Sequence, residues 1–148
     1  MLQSDKIFIK WDDFHQDTKD LCAKIKTTGI PFNKIVAISR GGLFPAGIAA
    51  YELGIRDCTV VNIATYVGAA HLKLDEVAHP ETVGKVDEHT LIIDDVADQG
   101  QTVRVMRRTF PKGYYATVYA KPVGKSDVDI FGRELEDKWI VFPWDVDE

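Results

Sequence analysis

Residues 91–102 read L-I-I-D-D-V-A-D-Q-G-Q-T, and this stretch decides how the chain is folded. Thr90 to Ile93 are apolar or β-branched and spell a short buried strand. Two adjacent carboxylates, Asp94 and Asp95, follow, then Asp98 and a loop holding Gly100 and Thr102. Val103, Met106 and Phe110 recur at helical spacing, so a helix opens near Gln101. Strand, acidic tip, glycine turn and helix place backbone N–H groups where they can hold a phosphate. They also set paired carboxylates at the carboxyl end of a strand, where open α/β sheets bind ligands.

A phosphate and two carboxylates repel when they meet directly. A sugar between them resolves the conflict, its hydroxyls donating to the carboxylates while its 5′-phosphate sits in the loop. The stretch therefore suits a phosphorylated ribose, with a divalent metal offsetting the remaining negative charge. A solvated acidic turn would have the same composition, so it is the patterning of all twelve positions that carries the reading.

Working toward the N-terminus, Lys34 to Ser39 form a strand that runs into Arg40-Gly41-Gly42. A helix over Leu43 to Leu53 follows, with Pro45 tolerated in its first turn and Gly54 ending it. Two glycines let backbone approach a ligand closely, and Arg40 adds a fork of donors matched to phosphate oxygens. This is a second anion site at a strand-to-helix junction, although an ordinary tight turn beside a surface arginine has the same letters.

The first motif resembles the PRPP-binding motif of the phosphoribosyltransferases, except that Gln99 stands where Ser or Thr is usual. S-R-G-G after a strand, about fifty residues earlier, is similar to the pyrophosphate loop of the xanthine-guanine phosphoribosyltransferases, and the likeness continues through G-L-F-P-A-G-I-A-A-Y-E-L-G-I-R. The tail K-W-I-V-F-P-W-D is similar to a W-I-x-x-P-W-D segment of that family. The resemblance implies a type I phosphoribosyltransferase fold: an α/β domain, mostly parallel sheet flanked by helices, with a small C-terminal hood. It divides residues 1–148 into a core near 30–122, a flexible flap near 66–88 and a hood over 123–148.

The same resemblance implies the chemistry. The 5-phosphoribosyl group of PRPP would pass to a 6-oxopurine, guanine or xanthine with hypoxanthine also open, with Mg²⁺ as cofactor, in purine salvage. PRPP would be bound by Arg40, Gly41, Asp94, Asp95, Val96, Ala97, Asp98, Gln99, Gly100, Gln101 and Thr102, and Asp95 would reach the metal. Asp98 would be the catalytic acid/base near N7 of the purine. Lys121, at the end of a strand over Tyr114 to Ala120, would donate to O6, and Trp139 and Ile140 would pack on and bond the base. A strained peptide beside Arg40, a cis one among the options, and a homodimer or homotetramer are also implied. A flap residue should carry charge to the pyrophosphate, and Lys73 and then Lys85 are the candidates.

The rest of the chain reads more blandly. Ile7 to Trp11 form a short apolar, edge-like strand. A helix follows, capped by Asp12 or Asp13, with Phe14, Leu21, Cys22 and Ile25 on one face and Gly29 and Pro31 ending it. Cys58 to Thr65 are a β-branched strand, while Tyr66 to Asp87 show no convincing period and read as a loop. Arg104, Arg107 and Arg108 read as a solvent-facing basic patch, and Asp127, Asp129, Glu134, Glu136 and Asp137 as a polar excursion. Alternating strands and helices call for a parallel sheet.

Composition sets the boundaries. One hundred and forty-eight residues, 45% hydrophobic and 28% charged, suit one domain with a real core. Eighteen basic against twenty-three acidic residues give a net charge of −5, which argues against a nucleic-acid partner. Cys22 and Cys58 form no CxxC and are expected as buried thiols; His15, His71, His79 and His89 lack metal-ligand spacing. No signal peptide or membrane-length apolar run is visible, so a cytoplasmic enzyme is expected. Gly124-Lys125-Ser126 lacks the first glycine of a P-loop, since that position is Tyr119. The rival from another class is a PRPP- or nucleotide-sensing regulator on the same fold without turnover, against which Asp98 and Lys121 tell.

Overall fold

The computed structural model describes residues 5–146. A six-stranded sheet in the order β4-β3-β2-β5-β6-β7 carries helices on both faces. Its members are β2 (Lys34–Ile38), β3 (Cys58–Val67), β4 (Lys73–Ala78), β5 (Thr90–Ala97), β6 (Tyr114–Ala120) and β7 (Ile130–Glu134). All pair in parallel except β3 with β4. Strand β1 (Lys6–Phe8) pairs in parallel with β8 (Trp139–Val141) as a separate ribbon that joins the two ends of the chain. No helix among the described residues is long and apolar enough to cross a membrane.

The central strands are apolar on both faces because both are covered. Ile35, Ala37, Leu91, Ile93, Ala116 and Val118 pack under helices α1 (Trp11–Thr27) and α2 (Leu43–Leu53). Their alternates Val36, Ile38, Ile92 and Tyr115 pack under α3 (Gln101–Thr109), against Val103, Met106 and Phe110. The chain leaves β2 toward β3 on one side and returns to β5 on the other. The β2–β5 gap is therefore the point where strand order reverses, and the loops leaving these two strands flank the crevice at their carboxyl ends.

Several local expectations give way to tertiary structure. Tyr66 to Asp87, expected as a loop, contains β4, which folds back on the outer half of β3 from Asn62↔Ala78 to Val67↔Lys73. Most of this ribbon is exposed, so it shows no apolar alternation. Helix α1 starts at Trp11 with Lys10 as its uncapped N-cap, leaving Asp12 and Asp13 in the first turn, where they face the dipole. Cys22 is buried, and burial pushes its thiol up to about 11, but Cys58 is exposed at the start of β3. The acidic stretch after Ser126 is no mere excursion, since it contains β7.

Candidate active site

Strand β5 does not stop at Ile93. Beyond the end of β2 it goes on through Asp94, Asp95, Val96 and Ala97, held by β6 through Asp94↔Thr117, Val96↔Tyr119 and Ala97↔Ala120. Asp94 Oδ1 accepts the Asp95 amide at 2.8 Å, and Asp95 Oδ1 accepts the Val96 amide at 2.7 Å. Burial, then the charge of Asp95, raises the Asp94 carboxyl well above the ordinary carboxylate range. Burial raises Asp95 as well, and the charge of Asp145 adds to it. The site thus holds two crowded carboxylates that favour a cation or hydroxyl donors.

The turn after β2 lies against them. The Ser39–Arg40 peptide is cis. Gly42 N donates to Ile38 O at 2.8 Å, and Leu43 N to Arg40 O at 3.0 Å, which starts α2. A Cβ on Gly41 would stand 2.6 Å from Cγ of Asp95, so any side chain there would have to displace the Asp95 carboxylate or the turn itself. Arg40 is exposed, and among the described residues its guanidinium has no hydrogen-bond or ion-pair partner.

After Ala97 the chain forms a cradle of about 230 Å³ lined by residues 96–103. Gly100 sits at φ +78° as the N-cap of α3, a conformation that favours glycine. Arg104, expected in a solvated patch, instead braces this loop from behind, with Nη1 donating to Gln99 O at 3.0 Å and to Asp127 Oδ2 at 2.9 Å. Arg107 likewise donates to Asp129 Oδ2 at 3.0 Å and lies 4.4 Å over the Tyr115 ring. A larger depression of about 800 Å³ between β4 and α3 is lined by Gln101 and by Lys73, the flap candidate, but by none of the other expected site residues.

Lys121 follows β6, and its N–H donates to Ala97 O at 2.9 Å, which ties the ends of β5 and β6 together. Its side chain is buried, and Nζ lies 3.3 Å from Asp98 Oδ1 and 3.8 Å from Asp137 Oδ1. In the hood, Trp139 is 66% exposed while its neighbour Ile140 is buried. Lys73 sits at the exposed outer end of the β3–β4 ribbon. Lys85 does not lie near the site: its carbonyl accepts Lys34 Nζ at 3.2 Å, at the start of β2 and so at the opposite edge of the sheet. Asp137, which lies by Lys121, and Asp145, whose charge reaches Asp95, were not legible as neighbours of these residues because segments distant in sequence bring them there.

Comparisons with known proteins identify the family. The model of the phosphoribosyl transferase domain matches residues 9–148. The chain is 39% identical over 139 residues to the xanthine-guanine phosphoribosyltransferase of Gluconobacter oxydans (strain 621H), covering 93% of this chain and 83% of that protein. Among solved structures, a purine phosphoribosyltransferase from Pyrococcus horikoshii Ot3 superposes with a TM-score of 0.81 at 25% identity over 97% of each chain. A hypothetical protein from Neisseria gonorrhoeae with bound ppGpp gives 0.75 at 26% identity, over 95% of this chain and 89% of that one. The chain belongs to the phosphoribosyltransferase family, on the type I fold and among its purine phosphoribosyltransferases.

Proposed function

We propose that this chain transfers the 5-phosphoribosyl group of PRPP to a 6-oxopurine, guanine or xanthine with hypoxanthine also open, in purine salvage. The products are the nucleoside 5′-monophosphate and pyrophosphate. The observation that carries this reading is the contact between Gly41 and Asp95, which brings the Arg40–Gly42 turn against the paired carboxylates of β5. A sugar bearing phosphate at both ends fits such an arrangement.

In this reading the residues divide the work. Arg40 and the Gly41 backbone hold the diphosphate, and Asp94 and Asp95 accept the 2′- and 3′-hydroxyls. The loop from Val96 and Ala97 through Asp98, Gln99, Gly100 and Gln101 to Thr102 anchors the 5′-phosphate on the N-terminus of α3. Lys121 donates to O6, and Asp98 exchanges a proton at N7 as N9 attacks the anomeric carbon. Trp139 covers the base, while Ile140 offers backbone groups to its edge.

The donor set fits Mg²⁺. Among the described residues no cluster of three or more His, Cys, Asp or Glu side chains forms a metal site. The chain therefore offers Asp95, with Asp94 beside it, and leaves the other positions to substrate oxygens and water, as Mg²⁺ sites on phosphates commonly do. Bound there, Mg²⁺ supplies charge neutralisation for the departing diphosphate. The raised carboxyls of Asp94 and Asp95 support this assignment, because their crowding is relieved by a cation.

The sensing alternative gains one support, since the Neisseria protein holds ppGpp on a similar fold. It leaves the Lys121–Asp98 pair without a use. The test is incubation with PRPP, Mg²⁺ and each of guanine, xanthine, hypoxanthine and adenine. Monophosphate is expected with 6-oxopurines and not with adenine; no product with any base would favour the sensor. We further propose a cytoplasmic homodimer or homotetramer, which sedimentation would test.

A further inference from the structure

We propose that Arg104 and Asp127 are positioning residues for the 5′-phosphate: they touch no substrate and instead fix the backbone that binds it. The inference rests on the PRPP reading above and deepens it. Neither residue lines the cradle formed by residues 96–103. Both lie behind it, where Arg104 Nη1 donates to Gln99 O at 3.0 Å and to Asp127 Oδ2 at 2.9 Å.

Peptide geometry turns that grip into a device for aiming donors. In a trans peptide the carbonyl of one residue and the N–H of the next point in opposite directions. The peptides of this loop are trans, the cis one being Ser39–Arg40. Arg104 draws Gln99 O to the back of the loop, so the Gly100 N–H faces the cradle. Two residues earlier the arrangement recurs. Ala97 O is held by the Lys121 N–H at 2.9 Å, which turns the Asp98 N–H away from β6. Among the described residues neither the Asp98 nor the Gly100 N–H has a hydrogen-bond partner. With the first-turn amides of α3 they form a set of backbone donors suited to an anion.

Asp127 is itself fixed. Its N–H donates to Gly124 O at 3.0 Å, and its carbonyl accepts Arg107 Nε at 3.3 Å and Nη2 at 3.0 Å. Residues 124–127 press on the loop at both ends. A Cβ on Gly124 would stand 2.8 Å from Asp98 O, and one on Gly100 would stand 2.5 Å from Cγ of Asp127. A carboxylate therefore sits close behind the place of the phosphate, and Arg104 is the cation that neutralises it. The Arg104 side chain is 54% exposed, so the pair adds little to global stability and can be separated from folding. The Asp127 side chain is only 23% exposed, so losing Arg104 alone leaves a half-buried negative charge uncompensated beside the cradle.

The experiment is isothermal titration with two probes, ribose 5-phosphate for the loop and pyrophosphate with Mg²⁺ for the Arg40–Gly42 turn. The proteins are the unmodified chain, Arg104→Met, Arg104→Lys, Asp127→Asn and the double variant Arg104→Met with Asp127→Asn, each checked by a thermal melt. Arg104→Met should weaken ribose 5-phosphate by about 30-fold, and Asp127→Asn by about fivefold. The double variant should bind it about threefold or more better than Arg104→Met, because no uncompensated carboxylate remains. Arg104→Lys keeps the charge without the two-way grip and should fall between Arg104→Met and the unmodified chain. Pyrophosphate affinity should stay within about twofold throughout, a split that general loosening of the fold would not produce. Unchanged ribose 5-phosphate affinity in folded Arg104→Met overturns the proposal, as does a double variant no better than Arg104→Met. An equal loss of pyrophosphate affinity overturns it too. An unmodified chain that binds no ribose 5-phosphate overturns it whatever its turnover. The expected order of affinities in a chain that forms no nucleotide with any base would remove the transfer reading and leave the positioning role standing.

Discussion

Gly41 packs directly on the Asp95 carboxylate, such that a methyl group there would lie 2.6 Å from Cγ and 2.9 Å from Oδ1. No positive φ is involved, so the requirement is for space. Gly41→Ala must push either the carboxylate or the Arg40–Gly42 turn aside by several tenths of an ångström. The fold should survive, because the displacement falls at the open end of the sheet. Turnover at limiting PRPP should fall by about 100-fold, since misplacement of binding groups by an ångström has effects of that order. Steady-state kinetics with PRPP varied, beside a thermal melt, checks this; a folded variant with unchanged KM and kcat would separate Gly41 from PRPP.

Asp94 and Asp95 carry a conflict between stability and binding. The Asp94 carboxyl is raised by burial and by Asp95, above its ordinary value of 3.8. A carboxyl whose folded value exceeds its unfolded one binds more protons in the native state. Its contribution to stability is therefore fullest at low pH, and is lost as pH rises from near 4 through the raised folded value. Asp94→Asn removes that penalty. In the absence of PRPP and metal it should raise Tm at pH 7 by roughly 3 °C, on the order of 1 kcal/mol for a chain of this size. The gain should shrink as pH approaches 4, and PRPP binding should be lost. Melting curves from pH 4 to 8 decide the matter, and a pH-independent gain would rule out charge as its cause.

Lys121 and Asp98 should separate cleanly in kinetics although they touch at 3.3 Å. Lys121→Met removes the proposed donor to O6 and should raise KM for the purine about tenfold or more, with KM for PRPP little changed. Asp98→Asn keeps the shape but removes the proposed base, and should lower kcat by about 100- to 10,000-fold. Equal losses of PRPP affinity in both variants would mean that the pair holds the phosphate loop and does not serve the purine.

The strands and helices that position the site were legible because each states its environment locally. Val36 and Ile38 are as apolar as Ile35 and Ala37, which marks a strand covered on both faces, and Gly42, Gly54 and Gly100 punctuate it from its helices. Helices α2 and α3 accordingly run over the expected residues. Strand β4 was illegible because Lys73 to Ala78 are mostly exposed and take their conformation from β3. The continuation of β5 through two aspartates was hidden as well: adjacent carboxylates favour a turn, and only pairing with Thr117 and Tyr119 keeps them extended. Arg104 with Asp127, and Lys121 with Asp137, are ion pairs between elements distant in sequence. No local pattern announces them.

Trp144 should prove to be what seats the hood on the Arg40–Gly42 turn. Its ring is sandwiched between Phe44 and Phe142, at centroid distances of 4.1 and 4.6 Å with both interplanar angles 7°. Phe14 meets it edge-on at 4.8 Å. Phe44 lies in the first turn of α2, four residues after Arg40, while Phe142 follows β8 with its Trp139 and Ile140. The next residue, Asp145, accepts the Phe142 amide at 2.8 Å, and its charge reaches Asp95. One ring thus links the segment after β8 to the first turn of α2. Trp144→Ala leaves a gap in a half-buried stack, so it should destabilise the chain by ~2–3 kcal/mol, somewhat below the loss for a fully buried aromatic. KM should rise for both PRPP and purine, because both supports loosen together. Trp144→Phe keeps a ring in the stack and should recover most of both losses. Urea unfolding with an unchanged m-value, together with the two KM values, tests this; a destabilised Trp144→Ala with ordinary KM values would show that the β1–β8 ribbon alone positions the hood.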